Sequence, residues 1–371
     1  MASMTGKLAV FLLFLLLSGT SLYAQSGRTK PTPTPTPKDD DVRIVTEEVK
    51  LNVLAFDEEG EIVGDVRADD LVITDDNILH QPSSVRRIPA NVLIVLDTGG
   101  ELRAAKTIDQ TRKTARALIS ALRPGDSVAL LQYSDKPEIL LEWTADRQAA
   151  LDAVGRAKFG KRSAFVDAVT LATDFLVRSG VDNKHMVLIT DGTDSWGRTS
   201  ARFDAFRRLL GTDVSVHVIS YTALEVADIE PRTKRTSNTP PRPAMPPEVV
   251  AQLPNGTRDQ ATAPKIGPTI NIDRKFLKTM RQRKADLEYA EEQLTKLAND
   301  TNGEIFTPTT LEEMVDRTAV VARMIDSSYV VTYLPKVAIS EGSQERTISV
   351  TSKRPGLSVE ARRRLVVNPS R

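Results

Sequence analysis

Two patterns of apolar residues divide this chain. From Val42 to Asn77, and again from Tyr329 to Val367, apolar residues alternate with polar ones, as at Val49, Leu51, Val53 and Ala55. That period of two is the mark of antiparallel strands with one covered face. Between them lie unbroken apolar runs. Asn91–Asp97 and His185–Asp191 each end in an aspartate, and Asp126–Tyr133, Glu138–Trp143 and Val214–Tyr221 are further strand-like segments. Helical spacing is found at 104–122, 146–156, 164–179 and 200–210. Continuous apolar strands alternating with helices predict an α/β fold, a doubly wound, mainly parallel sheet with helices on both faces. The first alternating segment, 42–89, and the last, 328–371, are each too small to bury much apolar surface. They are expected to join as halves of a smaller antiparallel β domain, with 90–327 inserted between them.

Within that insert, residues 228–270 are rich in Pro, Thr, Arg and Asn and carry no apolar period. Such composition predicts a flexible insertion. A long helix is then expected over 273–298, with Phe276, Met280, Leu287, Ala290, Leu294 and Leu297 forming one stripe and Asn302-Gly303 ending it. Glu304–Thr307 reads as the last strand of the sheet. The last helix reads as 310–327, with Leu311, Met314, Val315, Val321 and Ile325 inward.

Ahead of all this, Lys7 is followed by the apolar run Leu8–Leu17 and then small and polar residues up to Ala24-Gln25. The run falls short of the roughly 20 residues that span a bilayer and has the three-part shape of a secretory signal, 1–24. An uncleaved anchor is the alternative. Residues 25–41 contain Pro31–Pro37, where Pro alternates with Thr, and read as a semi-rigid stalk. The expected location is therefore outside the cytoplasm, in the periplasm or beyond. The chain carries 50 basic and 49 acidic side chains and no cysteine. That balance gives no electrostatic reason to expect nucleic acid or an anionic membrane as partner, and it leaves no thiolate chemistry or disulfides. His80, His185 and His217 are far apart in sequence and read as structural. No HExxH, GxSxG or GxxxxGK[ST] pattern occurs, so the chain is not expected to be an enzyme.

Asn91–Glu101, the loop Gly160–Ala168 and Met186–Gly192 occur in the order of three motifs of the von Willebrand factor A family, which this chain resembles over about 91–222. Leu297–Pro308 resembles the end of the same domain, and the whole layout resembles the exported A-domain proteins typical of Acidobacteria. The resemblance implies a divalent ion held by a DxSxS motif, a Thr from a middle loop and a later Asp. On this sequence the matching positions are Asp97, Gly99, Glu101, Ser163 and Asp191. Gly99 and Glu101 stand where serines are expected, so the site is degenerate. Asp97, Glu101, Ser163 and Asp191 could still hold Mg²⁺ or Ca²⁺, hard ions that take oxygen ligands. The favoured alternative is a vestigial pocket in which the two aspartates bond to backbone N–H groups and Ser163.

Gly99, Asp194 and Trp196 lie on the rim and are the candidate partner-binding residues. The resemblance implies a non-enzymatic protein that binds a protein partner, in adhesion or protein–protein interaction. A structural envelope or assembly component that leaves the metal site idle is the competing class, and a hydrolase with an unrecognised site the third.

Overall fold

The computed structural model describes residues 48–100, 105–238, 250–262, 268–339 and 345–366. The expected signal and stalk, and Glu101, lie outside the described residues.

At the centre, β5 (Asn91–Asp97) lies between β6 (Ser127–Tyr133) and β8 (Lys184–Thr190), parallel to both. β9 (Ser215–Ser220) and the short β12 (Ile305–Phe306) extend the parallel sheet on one side, and β7 (Pro137–Thr144) closes the other edge antiparallel. The order is β12-β9-β8-β5-β6-β7. The apolar run of β5 is explained by its two covered faces. Val92, Ile94 and Leu96 pack with α1 (Ile108–Ala121), α2 (Arg147–Gly155) and the last helix, α8 (Leu311–Asp326). Leu93 and Val95 pack with α3 (Phe165–Arg178), α4 (Thr199–Leu210) and the long helix α7 (Arg274–Asp300). The doubly wound sheet expected from the sequence is thus present.

A helix the pattern did not predict, α5 (Thr222–Ile229), follows β9 directly. The stretch 228–270 contains β10 (Thr236–Ser237) paired antiparallel with β11 (Thr269–Ile270), and α6 (Asn255–Thr262).

The antiparallel part is built from both ends of the described chain. β1 (Val49–Phe56) pairs with β13 (Ser328–Tyr333), Val49 opposite Tyr333, and with β15 (Ser358–Ala361). β2 (Leu71–Asp75) pairs with β14 (Glu345–Ser352) and with β3 (Ile78–His80). β4 (Ser84–Arg86) and β16 (Arg364–Val366) complete two four-stranded sheets around one core that includes Leu51, Val53, Ile73, Val331 and Ile348. β1 is more buried than its alternation suggests. Its other face carries Asn52, whose amide donates to the carbonyls of Lys184 and Asp213 and to Ser215 Oγ. The β sheets therefore sit under the amino ends of β8 and β9, leaving the carboxyl ends of the strands free on the far side.

α7 shows where side-chain direction corrects the sequence pattern. Asp273 caps it by accepting from the N–H groups of Lys275 and Phe276. Leu277 takes the inward place expected of Phe276: Leu277 is 5 % exposed and Phe276 36 %. In α8, likewise, Leu311 is 36 % exposed because it occupies the first helical turn, while Met314, Thr318, Val321 and Ile325 face inward.

Candidate functional site

In parallel sheets of this type ligands meet the carboxyl ends of the strands. Here β5 ends at Asp97, and β8 ends one residue before Asp191. Both carboxylates are fully buried, and both point at the same group, the ammonium of Lys106. Lys106 Nζ donates to Asp97 Oδ2 at 2.7 Å and to Asp191 Oδ2 at 2.8 Å, and no part of its side chain reaches solvent.

The chain around Lys106 is held for this purpose. Glu225 on α5 accepts from the N–H groups of Ala105 and Lys106 at 2.8 and 2.7 Å, just before Thr107 caps α1. Asp97 also accepts from Thr190 Oγ1 and the N–H of Gly99, at 3.0 and 3.2 Å. Asp191 accepts from the N–H and hydroxyl of Thr193, and from Arg283 Nη2 at 3.1 Å. Arg283 reaches in from α7 and donates to Thr193 Oγ1 as well.

The electrostatics follow. Burial pushes the Asp97 carboxyl up, against the pull of Lys106. Asp191 has two cations beside it, Lys106 and Arg283, and these hold it below the usual carboxylate range despite burial. Lys106 is raised, because the attraction of Asp191 and Asp97 outweighs the cost of burying its ammonium. Burial pushes Glu225 up. Two carboxylates thus face two cations, and their formal charges cancel.

The sequence-predicted residues are placed as follows. Asp97 and Asp191 come together. Ser163 is close by, but its hydroxyl donates to the Thr193 carbonyl at 2.9 Å and so serves the loop rather than the carboxylates. At Gly99 an added Cβ would lie 1.9 Å from the Arg162 carbonyl oxygen, so the loop has closed over the space a serine side chain would need. Asp194 is engaged in the loop itself, accepting from the Val166 and Trp196 N–H groups and from the Arg198 guanidinium. Trp196 is 42 % exposed, with the guanidinium carbons of Arg198 and Arg162 at 5.2 and 5.6 Å from its ring centre.

Of the residues that the motif match offers to a divalent ion, the described ones, Asp97, Ser163 and Asp191, do not converge on one. Among the described residues no group of three or more His, Asp or Glu could hold one, and the point between the two aspartates is taken by an ammonium. Sequence reasoning missed Lys106, Arg283, Glu225 and Thr190. Lys106 falls in the stretch read as helical from 104 but lies before the Thr107 cap at which α1 begins, and Arg283 stands on the rim of a helix, where no periodicity marks it. The signal that could have found Lys106 is the loss of two expected hydroxyls between two retained aspartates, which leaves their charge to be met by another group.

Beside this centre a cleft of about 1030 Å³ opens between the loop 193–199 and α7. Its basic lining is Arg162, Arg198, Arg202, Lys275, Lys278 and Arg283, against the acids Asp194 and Asp286. Arg202 is only 7 % exposed, lies over the Phe165 ring at 5.1 Å, and has an Nη1 without a hydrogen-bond partner among the described residues. Burial lowers its pKa.

Residues 92–193 match the family model of the von Willebrand factor type A domain. Among solved structures the chain is similar to a von Willebrand factor type A protein from Catenulispora acidiphila, at 11% identity over 87% of this chain and 75% of that one, with TM-score 0.41. It is also similar to the conserved hypothetical protein BatB from Bacteroides thetaiotaomicron, at 14% identity over 63% and 98%, TM-score 0.36. The manganese-loaded TRAP protein of Plasmodium vivax is a third, at 10% identity over 79% and 97%, TM-score 0.38. No curated protein matches the chain.

Proposed function

We propose that this is an exported, non-enzymatic binding protein whose A-type domain holds an acidic segment of a protein partner in the cleft at the carboxyl edge of the sheet. One observation carries this reading. Six basic side chains line a cleft with two acidic ones; Arg283 and Arg198 are already paired with Asp191, Asp194 and Asp167, while Arg202 is buried with a donor unsatisfied among the described residues. A buried donor without a partner is costly, and a carboxylate entering the cleft would relieve it. Trp196, flat and half exposed between two guanidinium groups, supplies an amphipathic anchor of the type that dominates protein interfaces. Export is supported by the apolar run at 8–17 behind Lys7 and by the Pro-Thr stalk that follows. No helix among the described residues is long and apolar enough to cross a membrane.

The test is fluorescence anisotropy of the full chain with a labelled peptide of alternating Glu and Gly, beside a Gln-Gly control. Saturable binding of the Glu peptide alone is expected, weakening with salt and falling about tenfold or more in Lys275→Glu/Lys278→Glu, whose side chains are exposed among the described residues. Equal binding of both peptides, or no effect of the double substitution, would remove the reading.

A further inference from the structure

We infer that the Lys106 ammonium is the resident cation of this domain, occupying the place between Asp97 and Asp191 that a divalent ion takes in a metal-dependent A-type head, so that the head is assembled without metal. This does not depend on what the neighbouring cleft binds.

Three observations carry it. The first is position: Lys106 Nζ lies within hydrogen-bond distance of the carboxylates at the ends of two adjacent parallel strands, 2.7 Å from one and 2.8 Å from the other. A metal ion bound by the same two oxygens would have to displace the ammonium, whose side chain is fully buried. The second is charge. Arg283 already adds a second cation to Asp191. A divalent ion entering beside both would add two charges to two positive groups, with only Asp97, Asp191 and the nearby Glu225 to offset all four, and closely spaced like charges in a buried site repel strongly. The third is the surrounding frame. Glu225 fixes the backbone of Ala105 and Lys106, which aims the side chain inward. The tight approach of Gly99 to the Arg162 carbonyl, in turn, removes room for a ligand hydroxyl at that position. The cation is therefore covalently part of the chain and cannot be removed by a chelator.

The inference predicts a gain of function when the lysine is removed. Lys106→Ala leaves two buried carboxylates facing a space once filled by four methylenes and an ammonium, in which water can supply the other oxygens that a hard ion takes. Mn²⁺ titration of the full chain followed by electron paramagnetic resonance tests it. The native chain is expected to show no saturable site up to about 1 mM Mn²⁺ and no change of melting temperature with Mn²⁺ or with EDTA. Lys106→Ala is expected to bind one Mn²⁺, to melt at a higher temperature when it does, and to lose both properties in Lys106→Ala/Asp97→Asn. A saturable site in the native chain that disappears in Asp97→Asn would overturn the inference, and so would a folded Lys106→Ala chain that takes up no Mn²⁺. Where Lys106→Ala does not fold even with Mn²⁺, the native titration and melting curves decide alone.

Discussion

A Cβ built on Gly99 would meet the Arg162 carbonyl oxygen at 1.9 Å and the Ser134 Cα at 2.9 Å, both backbone atoms. Backbone cannot swing aside as a side chain does, so the loops 97–100 and 160–163 would have to part. Gly99→Ser, the substitution that makes the motif look more like a metal site, is therefore expected to destabilise the protein by about 1–3 kcal/mol or more. It is not expected to create Mn²⁺ binding while Lys106 remains. Denaturant unfolding of Gly99→Ser, with Gly64→Ser as an open-site control whose Cβ would meet only the Arg87 side chain at 3.6 Å, checks the size of the effect. An equal midpoint for Gly99→Ser and the native chain would show that the loops yield easily. The same residue shows what a motif can conceal. Glycine in place of serine reads as a missing ligand, yet in the fold it allows a close approach that shuts the site.

Among the elements, β8 and β9 bring His185 and His217 together at the end of the sheet opposite the aspartates. Their rings stack at 5.5 Å, and His185 Nδ1 lies 3.3 Å from His217 Nε2, with Asn183 and Ser328 holding His185 Nε2. Burial holds His217 down to about 4 and His185 well below its ordinary value, with the neighbouring ring adding to the effect at His185. In the unfolded chain both would titrate near 6.5. Above that pH neither state is protonated and the pair costs nothing. As pH falls from 6.5 towards 4 the unfolded chain takes up protons that the fold refuses, so stability declines by about 1.4 kcal/mol per pH unit for each histidine. Asp97, Asp126 and Glu225, raised by burial, act in the opposite sense, which makes comparison with a variant the clean measurement. His217→Asn is expected to show a shallower fall of melting temperature between pH 6.5 and 4.5 than the native chain, and parallel curves would refute the assignment. The strands that meet here were legible from their largely apolar runs, although each also buries a histidine. Their neighbours were less so. That His217 would lie beside His185 follows from strand order, which periodicity does not encode. The inward turn of Leu277 instead of Phe276 depends on the start of α7 at its Asp273 cap, one residue's rotation that a stripe of mixed spacings does not resolve.

The whole described molecule is a β core interrupted by an α/β layer, and the described residues form one compact unit. Its outer strands are far apart in sequence, so β1 must await β13, and pairings of that range are slow to form. Alternation at both ends of the chain made this joining readable, since neither end had a core of its own. The bonds that tie the two parts were not readable, because they run from single polar residues to backbone carbonyls or, as at Lys50–Asp182 and Ser328–Asn183, to one other side chain. Asn52 bonds the amino ends of β8 and β9 from β1. From the other side of the β core, the buried Arg362 donates to the carbonyls of Leu210, Thr212 and Val214, its own pKa lowered to about 10 by burial. Removing both side chains leaves several carbonyls unsatisfied, at about 1–3 kcal/mol each. Both tryptophans, Trp143 and Trp196, lie in the α/β part, so their fluorescence reports that part while far-ultraviolet circular dichroism reports the whole. In the native chain the two signals are expected to change at one temperature. In Asn52→Ala/Arg362→Ala they are expected to separate, the parts melting singly once these two buried anchors are gone. Separate transitions in the native chain would mean that the α/β part folds without its β core, and coincident ones in the variant that the remaining ties, Lys50–Asp182 and Ser328–Asn183 among them, suffice with apolar contact to couple the two.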